Sequence, residues 1–148
     1  MPDRETLERA ERDAREGKSP STQAGEFVRE EIHHIREGKH GAQSPQQAIA
    51  IGLSKARRAG VKLSPPKGSA EVRKKAAQDA TAGRKAKASG RKTSAKRSRA
   101  SEAALKREPR SVASHEALSR QAKKSAVKRG KQSRRQTAMK AARTRKAA

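Results

Sequence analysis

Large apolar side chains are concentrated in one stretch of this chain. Residues 19–63 carry nine of them: Phe27, Val28, Ile32, Ile35, Ile49, Ile51, Leu53, Val61 and Leu63. Everything from residue 64 onward carries six: Val72, Leu105, Val112, Leu118, Val127 and Met139. Burial of such groups offsets the entropy lost when a chain orders itself. A core is therefore expected between residues 19 and 63, and a globular fold over the full length is not. Charge runs the other way. Residues 1–63 hold 12 basic and 10 acidic side chains, a net of +2, and residues 64–148 hold 27 and 5, a net of +22. Phe27 is the single aromatic residue, and hydrophobic residues make up 30% of the chain.

The local signals are helical, and the fold class read from them is mostly α. Residues 3–16 form a polar helix with acid-before-base pairs at i,i+4 (Glu5 with Arg9, Glu8 with Arg12, Glu11 with Arg15). With only Leu7, Ala10 and Ala14 to bury, it is expected to be loosely attached. Residues 20–37 form an amphipathic helix, capped by Ser19 with Pro20 at its first position. Ala24, Phe27, Val28, Ile32 and Ile35 share its apolar face, and Glu26, Glu30, His33 and Glu37 lie opposite. Residues 45–59 follow the capping box Ser44-Pro45-Gln46-Gln47 and stop at Gly60. Ile49, Leu53 and Ala56 make the stripe of that helix, and its small residues admit a close neighbour. The short connection at residues 39–43 makes the two helices an antiparallel hairpin, with Val61 and Leu63 covering one end. Ile51 lies off the stripe, and reads either as a stray exposed side chain or as a contact for a homodimer partner or a ligand.

The organisation expected is thus a polar helix at residues 1–18, a helical hairpin module at 19–63, a linker at 64–69 and a tail at 70–148. Paired prolines at Pro65 and Pro66 mark the seam. Lys, Arg, Ala and Ser dominate everything from residue 64 onward. These are helix-compatible, but no sustained apolar stripe runs through them. The tail is expected to be largely disordered by self-repulsion, with helical potential at residues 101–107 and 111–128 once anions neutralise it.

A segment of +22 needs a polyanionic partner. An anionic membrane is disfavoured, because the basic faces lack large apolar groups opposite them. Modules that stack bases on exposed aromatics are excluded. Phosphate binding without base readout remains, to duplex DNA or to structured RNA. The candidate contacts in the module are Lys55, Arg57, Arg58 and Lys62. Those in the tail are Arg84, Lys85, Lys87, Arg91, Lys92, Lys96, Arg97, Arg99, Lys123, Lys124, Lys128, Arg129, Lys131, Arg134, Arg135, Lys140, Arg143, Arg145 and Lys146.

Other chemistry finds little support. There is no Cys, hence no disulfide or thiol catalysis. No activated nucleophile and no glycine-rich phosphate loop is evident, so neither an enzyme nor a cofactor or small-molecule substrate is expected. His34 and Glu30 have helical i,i+4 spacing, but without the His-Glu-x-x-His pattern they and His33 and His40 read as a polar face and not as metal ligands. Arg129-Gly130-Lys131 and Ser64-Pro65-Pro66-Lys67 approach minor-groove motifs but lack their usual surroundings. No apolar run is long enough for a membrane span, and the charged start does not read as a signal peptide, which points to a cytoplasmic protein.

The run Gln47-Ala48-Ile49-Ala50-Ile51-Gly52-Leu53-Ser54-Lys55-Ala56-Arg57-Arg58-Ala59-Gly60, with Ser21–Val28 and Gly38-Lys39-His40-Gly41 before it, resembles the bacterial domain of unknown function 6496 over about residues 19–66. The tail is similar in composition to histone-like lysine-rich tails. The resemblance transfers no catalytic residue. It implies a bacterial cytoplasmic setting in which the polyanions are nucleoid DNA and RNA. The function expected is non-specific nucleic-acid binding of a nucleoid-associated, histone-like kind. The alternatives are an RNA- or ribosome-associated protein, or a partner-docking module tethered by its tail.

Overall fold

The computed structural model describes residues 2–89 and 94–147, with the side chains of 86–89 and 147 left aside. Among the described residues every regular element is helical. The α-helices are α1 (Arg4–Arg15), α2 (Pro20–Arg36), α3 (Pro45–Ala59), α4 (Ala70–Ser89), α5 (Ala95–Lys106), α6 (His115–Lys128) and α7 (Gly130–Ala147), with a 3-10 turn at Ser111–Ala113. The chain divides into two compact units, residues 1–113 and 114–148.

The hairpin of α2 and α3 is the centre of the first unit. Ser19 Oγ accepts the Thr22 N–H, and Ser44 Oγ accepts the Gln47 N–H at 3.2 Å. The side chain of Gln47 reaches back to the N–H of Gln43 at 2.6 Å, one residue earlier than the usual capping box. Left-handed Gly60 ends α3. The α3 residues buried deepest are Ala48, Gly52 and Ala56, spaced four apart, while Ile49 and Leu53 are half-buried at their sides. The expected stripe is therefore rotated toward the small residues. Gly52 shows why: a Cβ there would lie 2.7 Å from Val28 Cα, so the helices approach backbone to backbone.

One apolar cluster gathers Phe27, Ala24, Ala56 and Ala10, with Leu7, Leu53, Val61 and Leu63 packed around it. Here α1 is docked, not loose. Thr6, Ala10 and Asp13 are buried, and Arg9 crosses to Glu26 at 2.6 Å. Of the three ion pairs expected along α1, Glu5 does meet Arg9, at 3.3 Å, and Glu8 pairs instead with Arg4.

A second cluster joins Ile35, Ala42 and Ala48 to Val112 and Ala113, with Ile32 beside it. The hairpin loop is closed by backbone bonds from Gly41 N–H to Leu105 O at 2.9 Å and from Ala42 N–H to Pro109 O at 3.1 Å. Arg36 also donates to Ala113 O at 2.9 Å. Meanwhile α4 packs on α3 through Ala76, Asp79 and Gly83, where a Cβ on Gly83 would run into the Arg58 backbone. Ile51 shares the α3 side that meets α4 and is half-buried, not exposed.

The expectation of a largely disordered tail is thus corrected. The described residues beyond the linker are mostly helical, as four helices, two of which lie outside the stretches expected to favour helix. Ala and long basic side chains have high helix propensity, and two scarce anchors, Asp79 and the 108–113 segment, hold the first part of the region to the hairpin. In the second unit Ser114 caps α6, its Oγ accepting the Ala117 N–H, and the chain turns into α7 at Gly130. Val127 and Met139 remain exposed there.

Candidate nucleic-acid interface

The basic side chains expected to bind phosphate fall into three groups. In the module, Lys55 is turned inward. Its ammonium lies 3.1 Å from Glu30 Oε1 and 2.7 Å from Glu31 Oε2, and its side chain is 22% exposed. Burial alone would lower its pKa, but the Glu31 and Glu30 carboxylates outweigh burial and raise it. Arg58 is exposed yet holds Asp79, to which Ser54 also donates. Burial opposes ionisation of Asp79, but the Ser54 hydroxyl and the Arg58 guanidinium bring its pKa below 3.8. Arg57 is half-buried and Lys62 exposed. The four cations thus do not form one outward patch.

The second group lies on α4 and α5. Arg84 and Lys85 are exposed near the end of α4, and Lys96, Arg97 and Arg99 are exposed on α5. Arg91, Lys92 and the Lys87 side chain lie outside the described residues.

The third group is the densest. Residues 114–148 hold 12 Lys and Arg against Glu116 alone. At 100° per residue, Lys131, Arg134, Arg135, Arg145 and Lys146 fall within one half of α7, and Lys140 and Arg143 on the other. On α6, Lys123, Lys124 and Lys128 lie opposite the apolar row Leu118, Ala122 and Ala126. All of these cations and Arg129 are exposed, and none meets a carboxylate among the described residues. Arg134 makes only a local bond, at 3.4 Å, to Gly130 O.

Sequence reasoning missed the acidic interior of the first unit. Glu30 and His34, read as part of a polar face, are buried together with Glu31, while His33 and Glu37 stay exposed. α1 lies across Glu30 and His34: the Asp3 N–H donates to Glu30 Oε2 at 3.1 Å, and the Asp3 carboxylate meets His34 Nε2 at 2.9 Å. That bond is the main reason the Asp3 carboxyl sits below its ordinary pKa. One signal was present. Phe27, Glu31 and Ile35 are spaced by four, which puts Glu31 on the core-facing line.

With the hairpin, its caps and its loop in place, the comparison with known families concerns one part of the chain. Residues 17–68 match DUF6496, a family of unknown function. No curated protein and no solved structure matches the chain. The DUF6496 segment takes in α2, the loop, α3 and the run toward α4, as the sequence resemblance implied. The dense cationic helices α6 and α7 lie outside it. No helix among the described residues is long and apolar enough to cross a membrane.

Proposed function

We propose that the chain binds nucleic acid through phosphate contacts without reading base sequence, with duplex DNA as the leading partner in a bacterial nucleoid. The observation that carries this reading is the unbalanced charge of α6 and α7: 12 exposed cations against one acid, Glu116, in residues 114–148. Exposed ammonium and guanidinium groups gain most from a dense row of phosphates, because each contact releases condensed counterions. The lack of exposed aromatics argues against base stacking. Helices with cations on both sides suit backbone tracking better than insertion of one reading edge into a groove. In this reading the DUF6496 hairpin is a folded body that carries the basic helices.

The test is affinity measured at several salt concentrations on two unrelated duplexes and a structured RNA of equal phosphate content. With about 8–15 contacts, log affinity should fall against log salt with a slope between about −7 and −13 on DNA, equally for both duplexes. A slope shallower than about −2, or strong preference for one duplex, would overturn the reading. Markedly tighter binding to the RNA would reassign the partner to RNA.

A further inference from the structure

We propose that the buried cluster of Glu31, His34 and His40 binds one divalent transition-metal ion of the zinc type, which clamps α2 to the hairpin loop. The three side chains each offer a ligand atom, and these atoms lie within 4.8 Å of one another. Glu31 is fully buried; its Oε2 is met by the Lys55 ammonium at 2.7 Å and its Oε1 only by His40 Nε2 at 3.3 Å, neither in hydrogen-bonding geometry. A buried acceptor such as Oε1 favours a cation beside it.

The two imidazoles are set up as ligands by their other nitrogens. His34 Nε2 faces the Asp3 carboxylate at 2.9 Å, and His40 Nδ1 faces the Gly41 carbonyl at 3.1 Å. Both partners accept, so both of these nitrogens carry the proton. In the neutral rings the lone pairs are on His34 Nδ1 and His40 Nε2. His40 Nε2 lies 3.3 Å from Glu31 Oε1, a pair that a shared cation joins, and a metal ion is one such cation. An imidazole oriented by a carboxylate or a backbone carbonyl is the usual outer support of a metal-bound histidine. Charge agrees: Asp3, Glu30 and Glu31 contribute three carboxylates against the one ammonium of Lys55. Two ring nitrogens and one carboxylate favour zinc or cobalt over calcium or magnesium, which prefer all-oxygen shells. The rings are edge-to-face at 83°, with centroids 6.3 Å apart.

The test uses the untagged full chain at neutral pH, titrated with Co²⁺ and followed by visible absorption, then displaced with Zn²⁺. One ion per chain is expected, with a tetrahedral cobalt spectrum and a higher thermal midpoint. His40→Gln should weaken binding at least about tenfold, and Asp3→Ala about 10–100-fold through the lost support of His34. His33→Gln, on a side chain 66% exposed, should bind as the wild type does. Wild-type protein that gives no cobalt spectrum and no zinc-dependent thermal shift would overturn the proposal, whatever the variants do. So would unchanged binding by a folded His40→Gln, or equal affinity for Mg²⁺.

Discussion

Arg58 on α3 gives two hydrogen bonds to one oxygen of Asp79 on α4, from Nε at 3.1 Å and from Nη2 at 2.8 Å. Ser54 takes the other oxygen, so the carboxylate is buried with both of its atoms engaged. Acids are scarce beyond residue 63, and Asp79 is the one that fixes the first helix after the linker to the hairpin. Asp79→Ala should cost about 2 kcal/mol, since bonds to a charged group are lost while Arg58 and Ser54 turn to solvent. Urea unfolding followed by circular dichroism would show this as a lower midpoint.

The same carboxylate sets a pH dependence. Its folded pKa is lowered, so the unfolded chain binds the proton more readily. The stabilisation is complete above the ordinary value of 3.8 and is lost as pH falls through the lowered folded value. Denaturation midpoints measured from pH 6 down to pH 2 should therefore decline less for Asp79→Asn than for the wild type below about pH 4. Parallel curves would show that Asp79 is not the group responsible.

Two glycines in the hairpin should respond in opposite directions to one methyl group. On Gly52 it would press on Val28 Cα and N at 2.7 and 2.9 Å, and backbone atoms cannot turn aside. Gly52→Ala should destabilise by about 1–3 kcal/mol. On Gly25, inside α2, the methyl meets nothing within 4 Å. Gly25→Ala should stabilise by about 0.5–1 kcal/mol through helix propensity alone. Thermal midpoints of the two variants on either side of the wild type would bear this out.

Lysines and arginines of this chain should divide into those that hold the fold and those that hold phosphate. Lys55→Gln leaves Glu30 and Glu31 buried without their cation, and should cost about 3 kcal/mol of stability. It should leave the salt slope of DNA binding unchanged. Replacing Lys131, Arg134, Arg135, Arg145 and Lys146 by Gln keeps good helix formers in α7 and should do the reverse. The slope should lose up to about 4.5 in magnitude, at about 0.9 per contact, with urea stability little altered. Affinity titrations at three or more salt concentrations check both halves.

The hairpin is legible in the sequence because its signals are local. Ser19 with Pro20, Ser44 with Pro45 and Gln47, and Gly60 act within a turn of their own position, and each is found where the sequence puts it. What escapes depends on residues far apart in sequence. Glu30 looks like a solvent-facing acid until Asp3 and Lys55 arrive from two other places, and Glu31 meets His40 and Lys55 only in the folded chain. Ile51 looks uncovered until α4 is laid beside α3. The region beyond the linker reads as unstructured when its charge is summed from residue 64 to the end. That sum hides the fact that a single acid, placed as Asp79 is, can anchor a helix. The cationic faces of α6 and α7 are readable as composition, but their separation from the inward-turned Lys55 is not.

The loop joining α2 to α3 completes its hydrogen bonding only with a segment made much later in the chain. The residues Gly41 and Ala42 are buried, and the acceptors of their N–H groups are Leu105 O and Pro109 O. During synthesis the hairpin emerges first, with those two donors still facing water and with Ile35 and Ala48 lacking Val112 as a cover. At a ribosome's pace of about 5–20 residues per second, the first unit stays open for several seconds before its own chain can close it. Until then the positively charged stretch between the two partners has Asp79 as its main hold on the hairpin.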